Sequence, residues 1–129
     1  NEDAVKRLKE SVCSYFPGKK LTYIMGVFRD KEYKKMIDLM LPYAKRIYTV
    51  NLPDENRTLD AKSLEKAILE CAEARQNAVG KEREQCVDVL AVGDIESAVR
   101  LAFSNAEEGD VILAFGSLSY LGKVIEIVK

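Results

Sequence analysis

Two hydrophobic patterns alternate along the chain. Segments with apolar residues every three to four positions are typical of helices that cover a core, and continuous apolar runs are typical of strands buried on both faces. The continuous runs predict four strands, at 21–28, 46–50, 87–92 and 111–115. The helical spacing predicts five helices, at 4–16, after Asp30 as a cap, from about Ala61, after Gly93-Asp94, and after Gly116-Ser117 to present Leu121, Val124, Ile125 and Val128.

Strands and helices therefore alternate from one end of the chain to the other. This order predicts an α/β, three-layer, Rossmann-like domain with a mostly parallel sheet and helices on both faces. All of 1–129 fits one such domain with a core of its own. The polar, proline-containing stretch 51–60 predicts the longest loop between a strand and a helix, and 76–85 predicts a charged surface connection.

Composition narrows the classes of function. The 20 basic and 21 acidic residues are scattered, which is unlike the basic stripe of a nucleic-acid-binding protein. No apolar run approaches membrane-spanning length and no signal peptide is evident, so we expect a cytoplasmic protein without a membrane partner. Histidine is absent and the three cysteines lack CxxC spacing, which excludes a Cys/His zinc site within the chain. The cysteines are interpreted as buried and reduced.

Ligands of such sheets bind beyond the carboxyl ends of the strands, here near 28–31, 51–57, 92–94 and 116–120. The segment FGSLSYLGK, 115–123, predicts a strand that turns through Gly116-Ser117 directly into a helix. Backbone N–H groups and hydroxyls would then converge on a phosphate or carboxylate. The alternative is that Gly116 only makes the turn, Ser117 caps the helix and Tyr120 joins the core.

Two charged segments offer further chemistry at the strand ends. Arg29, Asp30 and Lys31 could orient a nucleotide or a carboxylate, or Asp30 could simply cap a helix between solvated cations. Arg57 could hold a carboxylate through two N–H groups, or be an exposed loop residue. No GxxxxGK[ST], GxGxxG or GxSxG motif occurs, so the chain has no evident means of gripping a triphosphate and its magnesium alone.

Four runs, GVFRDKEYKKM, TVNLPDENRTLDAKSL, DIESAVRLA and GDVILAFGSLSYLGKV, resemble the C-terminal domain of folylpolyglutamate and dihydrofolate synthases, which belong to the Mur ligase superfamily. The resemblance covers essentially the whole chain, and its most specific parts are GSLxxxG and GxxRDK. The opening Asn1-Glu2-Asp3-Ala4 is similar to the end of the family's DGAHNxxA motif, whose Asp and His would precede Asn1.

The resemblance implies ATP-dependent amide formation, in which L-glutamate is added to a folate through an acyl phosphate. It also implies that ATP, Mg²⁺ and most of the folate are held by an N-terminal ATPase domain of the same protein, over which this domain closes. The chain alone is therefore expected to be inactive, with no catalytic or metal-binding residue of its own, and a monomer is the default expectation.

The resemblance also implies two sets of site residues. The nucleotide-binding set is Asn1, Arg29, Asp30 and Lys31. The glutamate-binding set is Ser117, Leu118, Ser119, Tyr120, Asn56 and Arg57. Within the second set, Asn56 and Arg57 resemble the NPR-like loop that contacts the added amino acid in Mur ligases, although the loop here reads ENR.

Two other functions stay open. One is an amino-acid ligase of the cell-wall branch of the superfamily, although that branch tends toward a DRDKGK-like segment and a different ending from GSLSYLGK. The other is a free-standing α/β module that binds a nucleotide or small anion.

Overall fold

The computed structural model describes residues 2–79, 87–116 and 124–126 of the 129-residue chain. The helices are α1 (Glu2–Tyr15), α2 (Tyr33–Met40), α3 (Ala61–Val79) and α4 (Ile95–Ser104), and a single 3₁₀ turn spans Leu41–Tyr43. The strands are β1 (Leu21–Gly26), β2 (Ala44–Val50), β3 (Asp88–Gly93), β4 (Val111–Gly116) and β5 (Val124–Glu126).

The strands form one sheet in the order β3-β2-β1-β4-β5. The first four of these are parallel, and β5 runs antiparallel to β4. Strand β1 is central, because the chain builds outward through β2 and β3 and then returns to place β4 on the other side of β1. The order therefore reverses between β1 and β4, which is where ligands of such sheets bind. The prediction of a mostly parallel α/β fold is confirmed.

Helices α1, α2 and α3 cover one face of the sheet over the larger apolar core. At its centre, the rings of Tyr23 and Phe115 meet edge to face with their centroids 4.9 Å apart. The Tyr23 hydroxyl donates to the carbonyl of Met40 at 2.7 Å, so the phenol ties β1 to the end of α2. Burial raises the pKa of Tyr23 far above its usual range, which keeps the phenol neutral.

Helix α4 covers the other face. It contributes the small buried residues Ala98 and Ala102, which let the helix lie close to Tyr48 and Ile112 of the sheet. At the end of α4, the Asn105 amide donates to the Tyr48 hydroxyl at 3.0 Å. Helices therefore lie on both faces, as the alternating pattern predicted.

Helix α4 begins as expected, because the Asp94 carboxylate accepts a hydrogen bond from the backbone N–H of Ser97 at 2.8 Å. The predicted cap of α2 is wrong, however. That helix begins at Tyr33 after Glu32, with no side-chain cap, and Asp30 lies beside Arg57 instead. Helix α3 also extends to Val79, into the predicted surface connection, since no proline or glycine interrupts the chain before Gly80.

The predicted last helix is contradicted where the structure describes it. Residues Val124–Glu126 form β5 and pair with Val111–Leu113 of β4. A short apolar run such as Val124-Ile125 fits either element, and the free edge of β4 supplies backbone partners that favour a strand. Residues 117–123 lie outside the described residues.

Candidate functional site

The carboxyl ends of the parallel strands converge most tightly at Gly26 and Gly116, the paired last residues of β1 and β4. Gly116 has φ +114°, and a Cβ there would lie 2.2 Å from the carbonyl oxygen of Gly26. A Cβ on Gly26 would in turn lie 2.9 Å from Cδ2 of Leu52, in the loop after β2. Only glycine therefore fits at Gly116, because the backbones of β1 and β4 lie in close contact at the point where the strand order reverses.

The loop 51–60 is anchored at both ends. Asn51 donates its backbone N–H to the carbonyl of Gly93 at the end of β3, and its side-chain oxygen accepts from the N–H of Ala61 at 2.7 Å. Asp60 caps α3 by accepting from both the N–H and the hydroxyl of Ser63. These hydrogen bonds, led by that from the Ser63 hydroxyl, hold the pKa of Asp60 below its usual value. The loop is therefore tied to β3 and to α3.

A turn inside the same loop positions Asn56 and Arg57. The carbonyl of Asp54 accepts from the N–H groups of Arg57 and Thr58, at 3.1 and 2.9 Å, and its carboxylate accepts from the N–H of Asn56. The Thr58 hydroxyl oxygen then accepts from the N–H of Leu52 at 2.8 Å, closing the loop on itself. An aspartate at the start of such a turn satisfies donors that would otherwise face solvent. The conformation is thus built locally by this sequence.

Backbone pairing joins this turn to the segment after β1. Phe28 and Thr58 form an antiparallel bridge. On either side of it, the N–H of Arg29 donates to the carbonyl of Arg57 at 2.8 Å, and the N–H of Leu59 donates to the carbonyl of Val27 at 2.9 Å. The segments 28–31 and 54–58 therefore form one structural unit at the carboxyl edge, which we call the edge unit.

Charged side chains cross between the two segments in both directions. The guanidinium of Arg57 lies over the ring of Phe28, with Cζ 3.9 Å from the ring centroid, and its Nη2 is 3.8 Å from a carboxylate oxygen of Asp30. In the opposite direction, the guanidinium of Arg29 donates to the backbone carbonyl of Asn56. The charged and polar residues in these contacts are exposed to solvent, namely Arg29, Asp30, Asn56 and Arg57. Lys31, next to Asp30, is exposed as well.

The structure brings together members of both predicted sets. Arg29 and Asp30, predicted on the nucleotide side, contact Asn56 and Arg57, predicted on the glutamate side. Five other predicted site residues lie outside the described residues: Asn1, Ser117, Leu118, Ser119 and Tyr120.

The sequence reasoning missed one member of the edge unit, Phe28, because it was assigned to a buried strand. The strand ends at Gly26, and Phe28 lies beyond it, partly exposed. The available signal was an aromatic residue placed directly before Arg29, Asp30 and Lys31, at a strand end.

Some expectations concern residues away from this edge. Of the cysteines, Cys13 is exposed and Cys71 partly buried, and both are free, so the interpretation of buried cysteines is wrong for Cys13. Cys86 lies outside the described residues. Within 2–79, 87–116 and 124–126, no group of three or more Cys, Asp or Glu side chains could hold a metal ion. None of the helices in these ranges is both long enough and apolar enough to cross a membrane.

A protein-family model described as "Mur ligase, glutamate ligase domain" matches residues 1–118. A comparison with curated protein sequences found no match.

Three solved structures, of two proteins, are similar in fold. The folylpolyglutamate synthase of Mycobacterium tuberculosis complexed with ADP has a TM-score of 0.67 and 14% identity, over 88% of this chain and 25% of that one. The same organism's synthase complexed with ADP and AMPPCP has a TM-score of 0.62 and 17% identity, over 81% of this chain and 21% of that one. The bifunctional folylpolyglutamate synthase/dihydrofolate synthase of Yersinia pestis CO92 has a TM-score of 0.58 and 16% identity, over 94% of this chain and 26% of that one. At these identities the likeness shows the fold, and the chain spans about a quarter of each structure's length.

Proposed function

Because the chain belongs to the glutamate ligase domain family of the Mur ligases, we propose that it is the C-terminal domain of an ATP-dependent ligase that adds L-glutamate to a folate. The folate branch is supported by the ending GSLSYLGK and by the fold shared with folylpolyglutamate synthases. Three further points stay predictions: a second activity that makes dihydrofolate, a location in the cytoplasm, and a monomeric state.

The proposed reaction has two steps. An oxygen of the terminal carboxylate of the folate takes the γ-phosphoryl group of ATP, and ADP leaves. The amine nitrogen of glutamate then attacks the acyl carbonyl carbon, phosphate departs with the electrons of the C–O bond, and the amine loses a proton as the amide forms. A domain that closes over this site has two tasks, which are to position glutamate and to keep water from the acyl phosphate.

The edge unit is the observation that carries the proposal. It lies at the carboxyl ends of β1 and β2, beside the point where the strand order reverses, and it presents the exposed guanidinium of Arg57 on a rigid turn. Arginine binds a carboxylate through two parallel N–H···O bonds, which suits an amino-acid substrate. Asn56 precedes Arg57 in the same turn, and we keep both as glutamate-binding residues.

The other half of the glutamate site is proposed to follow Gly116 directly. Ser117 would supply a hydroxyl, and Leu118, Ser119 and Tyr120 would shape the pocket. The position of Gly116 supports this placement, since it ends β4 beside the end of β1, where the strand order reverses and ligands of such sheets bind.

The nucleotide side is proposed to involve Asn1, Arg29, Asp30 and Lys31. Lys31, exposed at the end of its segment of the edge unit, offers a cation for a phosphate, whereas Arg29 is already bonded to the carbonyl of Asn56. Mg²⁺ and most of the contacts to ATP are assigned to an N-terminal ATPase domain.

The test is glutamate-dependent release of ADP by the protein made from the full reading frame that contains this chain. Wild type is assayed with a folate, with dihydropteroate and with a cell-wall precursor. Turnover with the folate supports the proposal, and turnover with the cell-wall precursor alone moves the protein to the other branch of the family. Absence of turnover with every acceptor contradicts a ligase.

Ser117→Ala locates the second half of the site in the same assay. We expect a higher KM for glutamate with folding unchanged, because the variant removes only the proposed hydroxyl. Ser14→Ala is the matched control, since it removes an exposed hydroxyl from α1. Equal KM values for the two variants would exclude Ser117 from the glutamate site.

A further inference from the structure

We propose that Phe28 and Asp30 set the affinity of the edge unit for glutamate: the Phe28 ring holds the Arg57 guanidinium in place, and Asp30 occupies it until a carboxylate of the substrate displaces Asp30. This inference rests on the proposed function. It adds a positioning residue and an internal competitor to a site in which Arg57 is the direct ligand.

The Phe28 ring orients the guanidinium of Arg57. With Cζ 3.9 Å from the centroid of Phe28, the ring covers one flat face of the guanidinium. The N–H groups of a guanidinium point outward in its own plane, so contact with a ring on one face leaves them free to donate. The ring therefore fixes the direction of the fork without occupying its donors.

The contact between Arg57 and Asp30 is loose. Their nearest atoms, Nη2 and Oδ2, are 3.8 Å apart, which is beyond the range of a hydrogen bond. An exposed pair at this distance is weak, whereas a carboxylate bound through two N–H groups approaches to about 2.8 Å. A substrate carboxylate can therefore take the place of Asp30 with a net gain in hydrogen bonding.

Hydrogen bonds already hold the backbone that carries Phe28 and Arg57 in place. The hydrogen bond from the N–H of Arg29 to the carbonyl of Arg57, and that from Leu59 to Val27, bracket the bridge between Phe28 and Thr58. Within the edge unit, binding of a carboxylate to Arg57 then requires only that the Asp30 side chain move away. A site organised in advance loses little conformational freedom on binding, so changes to Phe28 and Asp30 should appear in affinity.

The experiment measures KM and kcat for glutamate with the full-length enzyme and a folate acceptor. Phe28→Leu removes the ring face and is expected to raise KM about two- to five-fold, the effect of losing one surface cation–π contact, with kcat near wild type. Phe28→Tyr keeps the ring face, so its KM should equal that of the wild type. Asp30→Asn removes the competing charge and is expected to lower KM about two-fold.

Matched controls lie on α4, away from the edge unit. Phe103→Leu removes another exposed phenylalanine, and Glu96→Gln removes another carboxylate that pairs with an arginine, Arg100. Both controls should keep the wild-type KM and kcat.

The outcomes separate two failures. An enzyme with no glutamate-dependent turnover contradicts the proposed function and this inference with it. An active enzyme in which Asp30→Asn leaves KM unchanged or raises it overturns the displacement of Asp30 alone. If Phe28→Tyr shifts KM as much as Phe28→Leu, the ring face is not what holds Arg57. Should Phe28→Leu fail to fold, Phe28→Tyr and Asp30→Asn still decide the matter.

Discussion

The two ends of the sheet each carry an ion pair between distant segments, and the pairs differ in the distance between the charged groups and in their exposure to solvent. At the amino end, Nζ of Lys45 lies 2.5 Å from Oδ1 of Asp110, with side chains 32% and 11% exposed. At the carboxyl end, Arg57 and Asp30 are 3.8 Å apart and 46% and 62% exposed. Removing one partner of a short, shielded pair destabilises a fold, whereas a long, exposed pair leaves its cation available to a ligand.

Asp110 shows what a structural carboxylate looks like in this protein. Besides Lys45, it accepts from the backbone N–H of Glu107 at 2.9 Å. Burial raises the pKa of Asp110, but the hydrogen bonds from Glu107 and Lys45 outweigh burial and leave the pKa below its ordinary value. Asp30 has no comparable set of partners among the described residues, where Arg57 is its ion-pair partner.

The largest effect is expected for Gly116→Ala, at the carboxyl end. The new Cβ would lie 2.2 Å from the Gly26 carbonyl oxygen at φ +114°, so the free energy of unfolding should fall by about 3 kcal/mol or more. Gly18→Ala is the control, because its φ is also positive (+73°) but nothing lies within 4 Å of its Cβ; a loss of about 1 kcal/mol is expected. Urea unfolding measures both, and equal losses would contradict the close approach of β1 and β4.

Next in size is Asp110→Asn, at the amino end. The variant leaves the partly shielded Lys45 without a charged partner, and we expect unfolding to become easier by about 2 kcal/mol. Asp30→Asn, the same change in the exposed pair, should alter stability by less than about 0.5 kcal/mol. If the two variants lose equal stability, the contrast between the two ends is wrong.

The same pair predicts a pH dependence. A carboxyl group whose folded pKa is depressed contributes stability above its unfolded pKa of about 4, and that contribution is lost as pH falls through the folded pKa. The difference in melting temperature between wild type and Asp110→Asn should therefore be constant from pH 7 to 5 and shrink as the pH falls below about 4. A difference that grows toward acid would reverse the assigned shift.

A small effect on stability is also expected for Arg57→Ala. Its contacts with Phe28 and Asp30 are at the surface, so the free energy of unfolding should change by no more than about 1 kcal/mol, measured by urea unfolding. A larger loss would make Arg57 chiefly a structural residue, like Lys45.

The strand ends at which we place the candidate site were readable from the sequence, because continuous apolar runs locate buried strands and parallel strands end at one edge. The contacts within the edge unit were not. Asp30 precedes a helix, and aspartate is a residue that often caps helices. Nothing in the local sequence reveals that Arg57, far along the chain, lies beside it. The pairing depends on the bridge between Phe28 and Thr58, which is a tertiary contact.

Strand β5 illustrates a second limit. Val124 and Ile125 also fit the spacing of a helix, and only the presence of β4 as a backbone partner decides for a strand. Helix α3 was underestimated for a different reason, since the stretch 76–85 is rich in charged and polar residues and was assigned as a whole to a surface connection.

The central claim is that an exposed arginine at the carboxyl edge binds the glutamate of a ligase reaction. It is tested most directly by the KM for glutamate of full-length Arg57→Ala, beside Arg100→Ala, which removes an exposed, carboxylate-paired arginine from α4. We expect Arg57→Ala to raise KM about ten- to hundred-fold, the effect of losing charge-assisted hydrogen bonds, with folding intact and Arg100→Ala like wild type. A folded, active Arg57→Ala enzyme with the wild-type KM would contradict the claim.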